Sequence, residues 1–183
     1  MQINIKTNKY KEVDGDLISL ALQGEFEVIA HGCNCFCKMR RGLAYQMSRQ
    51  FNCNDGALYP KEQPARRGDV TKLGTIEGNY HTNLTRCKSN GSFLKVVNMY
   101  TQYYWSDSKK PFDYDAFKSC LMALNQDYAG KTIGLPKIGT GLAGGEWEII
   151  KEIIQEEMKD CHVTVVNFKD LDEENYEKLG YFI

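Results

Sequence analysis

Apolar residues fall along the chain in short blocks separated by polar, glycine-bearing turns, and the spacing inside each block predicts its element. Ile3 to Ile5, alternating around Asn4, predicts a short opening strand. Asp14-Gly15-Asp16 predicts a turn into a short helix around Leu17 to Leu22. Phe26 to Ala30 predicts a strand that runs straight into the polar, small-residue segment His31-Gly32-Cys33-Asn34. Leu43, Met47 and Phe51 recur four apart and predict the inner face of a helix from Gly42 to Phe51.

The stretch from Asn52 to Asn90 is rich in Gly, Asn and Pro and predicts only short strands, at Val70 to Leu73 and Gly74 to Tyr80. Phe93 to Met99 predicts a buried strand. Asp113 opens a helix striped by Phe117, Leu121, Leu124 and Tyr128. Thr132 to Leu135 predicts a strand stopped by Pro136, and Trp147, Ile150, Ile154 and Met158 mark one helical face, broadened by Ile149 and Ile153. His162 to Phe168 predicts the last strand. Short apolar strands alternating with helices imply an α/β fold, with a mixed or parallel sheet covered on both faces. No repeat or low-complexity linker divides the chain, so one domain is expected over 1–169, with the acidic, then aromatic, tail 170–183 packed on it.

In open α/β sheets, ligands bind where the loops after the strands' carboxyl ends converge. Two such loops stand out. The first runs from Ala30 through His31-Gly32-Cys33-Asn34 and Lys38-Met39-Arg40-Arg41 to Gly42. The second, Pro136 to Gly145, holds four glycines, a threonine and a lysine, with no carboxylate. Glycines let backbone N–H groups approach an anion, and the helix that follows adds its positive end, so a diphosphate suits this loop. A tight turn that merely needs glycine is the other reading. No Walker lysine follows, and Gly139-Thr140-Gly141 comes too late in the chain for a dinucleotide fingerprint.

Charge narrows the partners. The 183 residues carry 23 basic and 24 acidic side chains, a net charge of -1, which argues against general nucleic-acid binding or an anionic membrane. The balance is uneven: residues 1–111 sum to +6 and residues 112–183 to -7. No apolar run approaches the roughly 20 residues that cross a bilayer, and the first residues lack a signal peptide's apolar middle, so a cytoplasmic protein is expected. The seven cysteines are odd in number and too few for a disulfide scaffold. Cys33, Cys35 and Cys37 beside His31 invite a metal reading, but structural zinc usually wants cysteines two to four residues apart and no second Cys-x-x-Cys pair is present, which favours reduced, space-filling thiols and no metal.

Four stretches, in order, resemble the macrodomain family: Val13-Asp14-Gly15-Asp16-Leu17-Ile18, Val28 to Met47 with its Ala30-His31-Gly32-Cys33-Asn34, Phe93 to Gln102, and Leu135 to Trp147 with its Pro136-Lys137-Ile138-Gly139-Thr140-Gly141-Leu142-Ala143-Gly144-Gly145-Glu146. The form of the second and fourth is most similar to the small ADP-ribose 1''-phosphate phosphatases of yeast and phage. The resemblance implies a three-layer α/β/α macrodomain with a central mixed sheet, binding ADP-ribose or a derivative without a cofactor. It implies that Asp16 accepts from the adenine amine beside Leu17, while composition alone equally makes Asp16 a helix N-cap. It places Asn34 on the distal ribose near Gly32 and Gly42, and wraps Gly139, Thr140, Gly141 and Leu142 around the diphosphate. Phe168 falls where an aromatic meets the adenine, and a core aromatic is its other reading.

His31 is the candidate for chemistry, since imidazole titrates where a general acid or base is useful and the phosphatase branch has a histidine there. With Asn34 it would serve hydrolysis of the 1''-phosphate. Arg40 and Arg41 stand where many members have small residues; two guanidiniums there suit a terminal phosphate, and a solvated face or a crowded distal ribose are the other readings. The lysine and aspartate of a covalent de-ADP-ribosylating mechanism are missing, replaced by Met99 or Asn98 and by Ala143. The alternatives to the phosphatase are a non-catalytic ADP-ribose reader and a hydrolase of ADP-ribosyl or O-acetyl-ADP-ribose linkages.

Overall fold

The computed structural model describes residues 9–53, 67–80, 85–105, 112–141 and 143–169. The strand expected at Ile3 to Ile5, the tail 170–183 and Leu142 lie outside these residues. Six strands form one sheet: β1 (Tyr10–Gly15), β2 (Val28–Asn34), β3 (Ile76–Tyr80), β4 (Lys95–Gln102), β5 (Thr132–Pro136) and β6 (His162–Phe168). Their order is β1-β6-β5-β2-β4-β3, with every neighbouring pair parallel except β3 against β4. Helices α1 (Leu17–Leu22), α2 (Gly42–Phe51), α3 (Tyr114–Asp127) and α4 (Trp147–Glu157) cover the two faces.

The alternation of side chains along the strands splits the interior into two cores. Val28 and Ala30 of β2 face one way, with Val97 and Met99 of β4, and meet Phe117, Leu121 and Leu124 of α3 and Ile150 and Ile154 of α4. Ile29 and Val96 face the other way and meet Leu17 and Ile18 of α1 and Met47 and Phe51 of α2. Each fully buried Leu, Ile or Phe contributes about 1.5–3 kcal/mol relative to exposure. The helix stripes expected from the sequence face the cores, with Leu43, Tyr128, Trp147 and Ile153 half-buried at their margins and Ile149 42% exposed.

Three strand expectations need correction. The chain before Asp16 is strand β1, paired in register with β6 from Tyr10↔Val163 to Gly15↔Phe168, and not an open turn. It is an edge strand, where polar side chains are tolerated, so its sequence lacks an apolar signature. Val70–Lys72 is a single turn of 3-10 helix, because the Asp69 carboxylate accepts from the Thr71 amide at 2.9 Å and closes the backbone. Strands β2 and β4 run on to Asn34 and Gln102, past the apolar limits at Ala30 and Met99, since polar residues at their ends still pair across the sheet. Parallel β2, β4, β5 and β6 bring their carboxyl ends, Asn34, Gln102, Pro136 and Phe168, to one edge.

Candidate functional site

At that edge lies a cleft of two adjoining cavities, about 590 and 460 Å3, which share Gly32, Gln102 and Ala143. The larger is walled by the Pro136–Gly141 segment and by Gly42, with Val166 and Phe168 at its far end. The smaller is walled by Asn34, Lys38, Arg40, Arg41 and Trp105. Four cations face the cleft, Lys137 being the fourth, and no carboxylate lines either cavity among the described residues. With no negative side chain to repel it, an anionic ligand is the chemistry this cleft suits.

The glycine-rich loop holds its own shape. Ile138 N–H donates to Pro136 O at 2.8 Å, Gly145 N–H to Gly139 O at 2.8 Å, and Thr140 Oγ1 to Lys137 O at 2.9 Å. Gly139 has φ +77°, and a Cβ there would come within 2.4 Å of the Phe112 ring, so no other residue fits beneath the loop. Gly141 and Gly42 differ: a Cβ at either meets nothing within 4 Å, because both face open cleft.

The first loop is tied down by Asn34. Its Oδ1 accepts from the amides of Phe36 (3.1 Å) and Lys38 (3.2 Å), and its Nδ2 donates to Lys38 O at 2.9 Å. Asn34 is thus a turn-former that also lines the cleft. Arg41 is the N-cap residue of α2 and makes no side-chain cap bond, so both guanidiniums stand exposed at the cleft's cationic end. Asp16 caps α1, its Oδ1 accepting from Ser19 N at 2.6 Å and Ser19 Oγ at 2.7 Å. The cap reading of Asp16 therefore holds; it follows the Gly15↔Phe168 pair in the chain, but neither it nor Leu17 is among the described residues that line the two cavities. Leu17 is core. Phe168, 61% exposed and facing the cleft, is not a core aromatic.

His31 lies deeper than the sequence suggests, its residue only 1% exposed. Its Nε2 is 2.8 Å from Asn98 Oδ1, and Asn98 Nδ2 donates to Cys53 O at 2.7 Å. A carbonyl only accepts, so the amide of Asn98 is oriented with its oxygen toward His31, which carries its proton on Nε2. Two thiols flank the ring: Cys33 Sγ lies 3.9 Å from Nδ1 and 3.8 Å from Nε2, and Cys53 Sγ lies 3.7 Å from Nε2. Cys33 and Cys35 pack in one cluster with Met39 and Tyr100, since residues two apart in an extended chain share a face. Among the described residues no group of three His, Cys, Asp or Glu is placed to hold a metal. No described helix is long and apolar enough to cross a membrane.

Sequence reasoning missed Gln102 and Trp105 as cleft residues, and gave Lys38 and Lys137 no role of their own. Gln102 could have been found by asking which residue ends the strand next to β2; Trp105, three residues on, has no such signal.

Among solved structures, the macrodomain of Mycobacterium tuberculosis DarG superposes with a TM-score of 0.64 at 20% identity, covering 88% of this chain and 98% of that one. Thermosipho africanus DarTG, solved in complex with ADP-ribose, gives 0.63 at 17% identity, over 94% of this chain and 44% of that one. An uncharacterized 17.5 kDa protein from the tk-vs intergenic region of Enterobacteria phage T4 is 32% identical over 168 residues, covering 88% of this chain and 97% of the phage protein. The chain belongs to the family of that phage protein, and its fold is the macrodomain fold. No family model matches the chain. The expected three-layer α/β/α architecture with a mixed central sheet is thus the observed one. In this macrodomain the carboxyl edge of the sheet carries every cleft element named above.

Proposed function

We propose that this macrodomain binds ADP-ribose in the carboxyl-edge cleft and hydrolyses a bond at the distal ribose of an ADP-ribosyl derivative. The observation that carries the reading is a cleft with four cations and, among the described residues, no carboxylate, bounded by a glycine loop and ending on an exposed aromatic. Phe168 takes the adenine, and Asp16 with the Leu17 backbone meets its exocyclic amine. Gly139, Thr140 and Gly141, which line the same cavity as Gly42, take the diphosphate through backbone N–H groups, and Leu142 is assigned to the same role by its place in the sequence. Gly32 and Asn34 then meet the distal ribose, and Arg40 and Arg41 receive whatever that ribose carries. Solved relatives of this fold include a protein in complex with ADP-ribose, which supports the ligand and not a particular linkage.

Hydrolysis of ADP-ribose 1''-phosphate is the specific reaction favoured by the Arg40 and Arg41 end. Water adds to phosphorus, the bond from phosphorus to the anomeric oxygen breaks, and that oxygen takes a proton as inorganic phosphate leaves. Paired guanidiniums stabilise the charge that gathers on the phosphoryl oxygens. His31, which lines the larger cavity, assists as the proton donor or acceptor at the anomeric oxygen or the water. The test is phosphate release from ADP-ribose 1''-phosphate in EDTA, with His31→Ala and Arg40→Gln/Arg41→Gln beside the native chain. Release lost in the double variant supports the phosphatase. Release that is full in His31→Ala removes the histidine from the chemistry, and no release alongside cleavage of an ADP-ribosyl ester moves the substrate to that linkage.

A further inference from the structure

Beyond the cationic end of the cleft the surface turns aromatic. Phe36, Tyr103, Tyr104 and Trp105 form one cluster, with Phe36 edge-on to the other three at 4.9–5.3 Å between ring centres. Tyr104 stacks on Trp105 at 4.0 Å and 23°, while Lys38 Nζ sits 3.2 Å from the centre of the same Trp105 ring. Two groups so close to one ring centre must occupy opposite faces. The result is a column of Lys38, Trp105 and Tyr104, buttressed by Phe36 and ending in the outer face of Tyr104. Tyr103, Tyr104 and Trp105 remain 39%, 44% and 36% exposed, a concentration of aromatic surface that the two main cores do not use.

The neighbours of that column decide what it suits. Lys38, Arg40, Arg41 and Trp105 line the same cavity, so cations and stacked rings sit side by side, with no carboxylate among the described lining residues. An apolar partner alone would not need three cations, and a simple anion would not need a stack of rings. A chain that alternates anionic links with flat rings needs both. We infer that this surface is a binding site for single-stranded nucleic acid, with one base stacked on Tyr104 and its phosphates held by Lys38, Arg40 and Arg41. The net charge of -1 excludes a basic field over the whole molecule, whereas this site is local and lies in the half of the chain that carries the excess of positive charge. The inference does not require that the cleft bind ADP-ribose.

The experiment is fluorescence anisotropy of a labelled oligothymidylate of eight nucleotides, with an abasic strand of equal length as control. The expected result is saturable binding of the thymidylate that Tyr104→Ala weakens at least about fivefold and Tyr104→Phe leaves intact. Affinity should fall with salt at a log–log slope of about -2, for about three single-strand phosphate contacts, and Arg40→Gln/Arg41→Gln should reduce that slope by more than half. Equal binding of the abasic strand, or Tyr104→Ala behaving as native while its thermal unfolding is unchanged, would overturn the site. So would tighter binding of an acidic aromatic peptide, or no binding by a sample that takes up ADP-ribose. A sample that binds thymidylate but not ADP-ribose would keep this inference and refute the proposed ligand of the cleft.

Discussion

Two glycines two residues apart in one loop should respond to the same methyl group in opposite ways. At Gly139, φ is +77° and an added Cβ would lie 2.4 Å from Phe112 Cε2 and 2.5 Å from Cδ2. A left-handed conformation costs an L-residue about 1–2 kcal/mol. Overpacking against a buried ring adds about 1–3 kcal/mol, since Phe112 is itself held by Tyr114 and Phe117 and cannot simply turn away. Gly139→Ala should therefore lose about 2–5 kcal/mol, which for a domain of this size lowers Tm by about 4–20 °C. At Gly141 the added methyl meets nothing within 4 Å and φ is not in the left-handed range. Gly141→Ala should keep its Tm within about 2 °C and instead project a methyl into the cleft, weakening ADP-ribose binding about tenfold, or about 1.4 kcal/mol. Differential scanning calorimetry and a ligand titration on the same preparations separate the two effects. Equal Tm losses in both variants would refute the reasoning, as would an undiminished affinity in Gly141→Ala.

Further outcomes follow from buried groups. Asn98→Ala removes the oxygen that accepts from His31 Nε2 and the amide that donates to the Cys53 carbonyl and should cost about 2 kcal/mol or more, read by urea unfolding; a change under about 0.5 kcal/mol would contradict the tie. Burial pushes the Glu27 carboxyl upward, but the Thr132 amide, Lys131 and Asn90 outweigh it and hold the group below the ordinary glutamate value. Its stabilisation is therefore present above the unfolded value, about 4.3, and is lost as pH falls through the lower folded value. Glu27→Gln should be less stable at neutral pH and show a shallower acid-side decline in unfolding experiments. Burial pushes the thiols of Cys120 and Cys161 up to about 12 and about 11, so both stay protonated at pH 8. Mass spectrometry after brief treatment with a thiol reagent should find them unmodified and Cys37, the one cysteine of the seven that is not buried, labelled first.

What could be read from the sequence was what local pattern controls. The stripes of α3 and α4 and the run of β6 are repeated apolar signals, and the two cleft loops are marked by glycines, cations and missing carboxylates. Strand β1 was illegible because an edge strand may carry Tyr10-Lys11-Glu12 and still pair, its partner β6 lying some 150 residues away in the sequence. The burial of His31 was illegible for a similar reason. Its partner Asn98 is 67 residues distant, brought opposite it only by the register of β2 on β4. Trp105 joins the cleft because β4 lies beside β2, a fact of strand order that no local window contains.

The central claim is tested most directly by calorimetric titration of the native chain with ADP-ribose, with Gly141→Ala alongside. The account predicts saturable 1:1 binding by the native chain and weaker binding by a variant that unfolds at the same temperature. Absence of binding at millimolar ADP-ribose, by a sample that unfolds cooperatively, would contradict it.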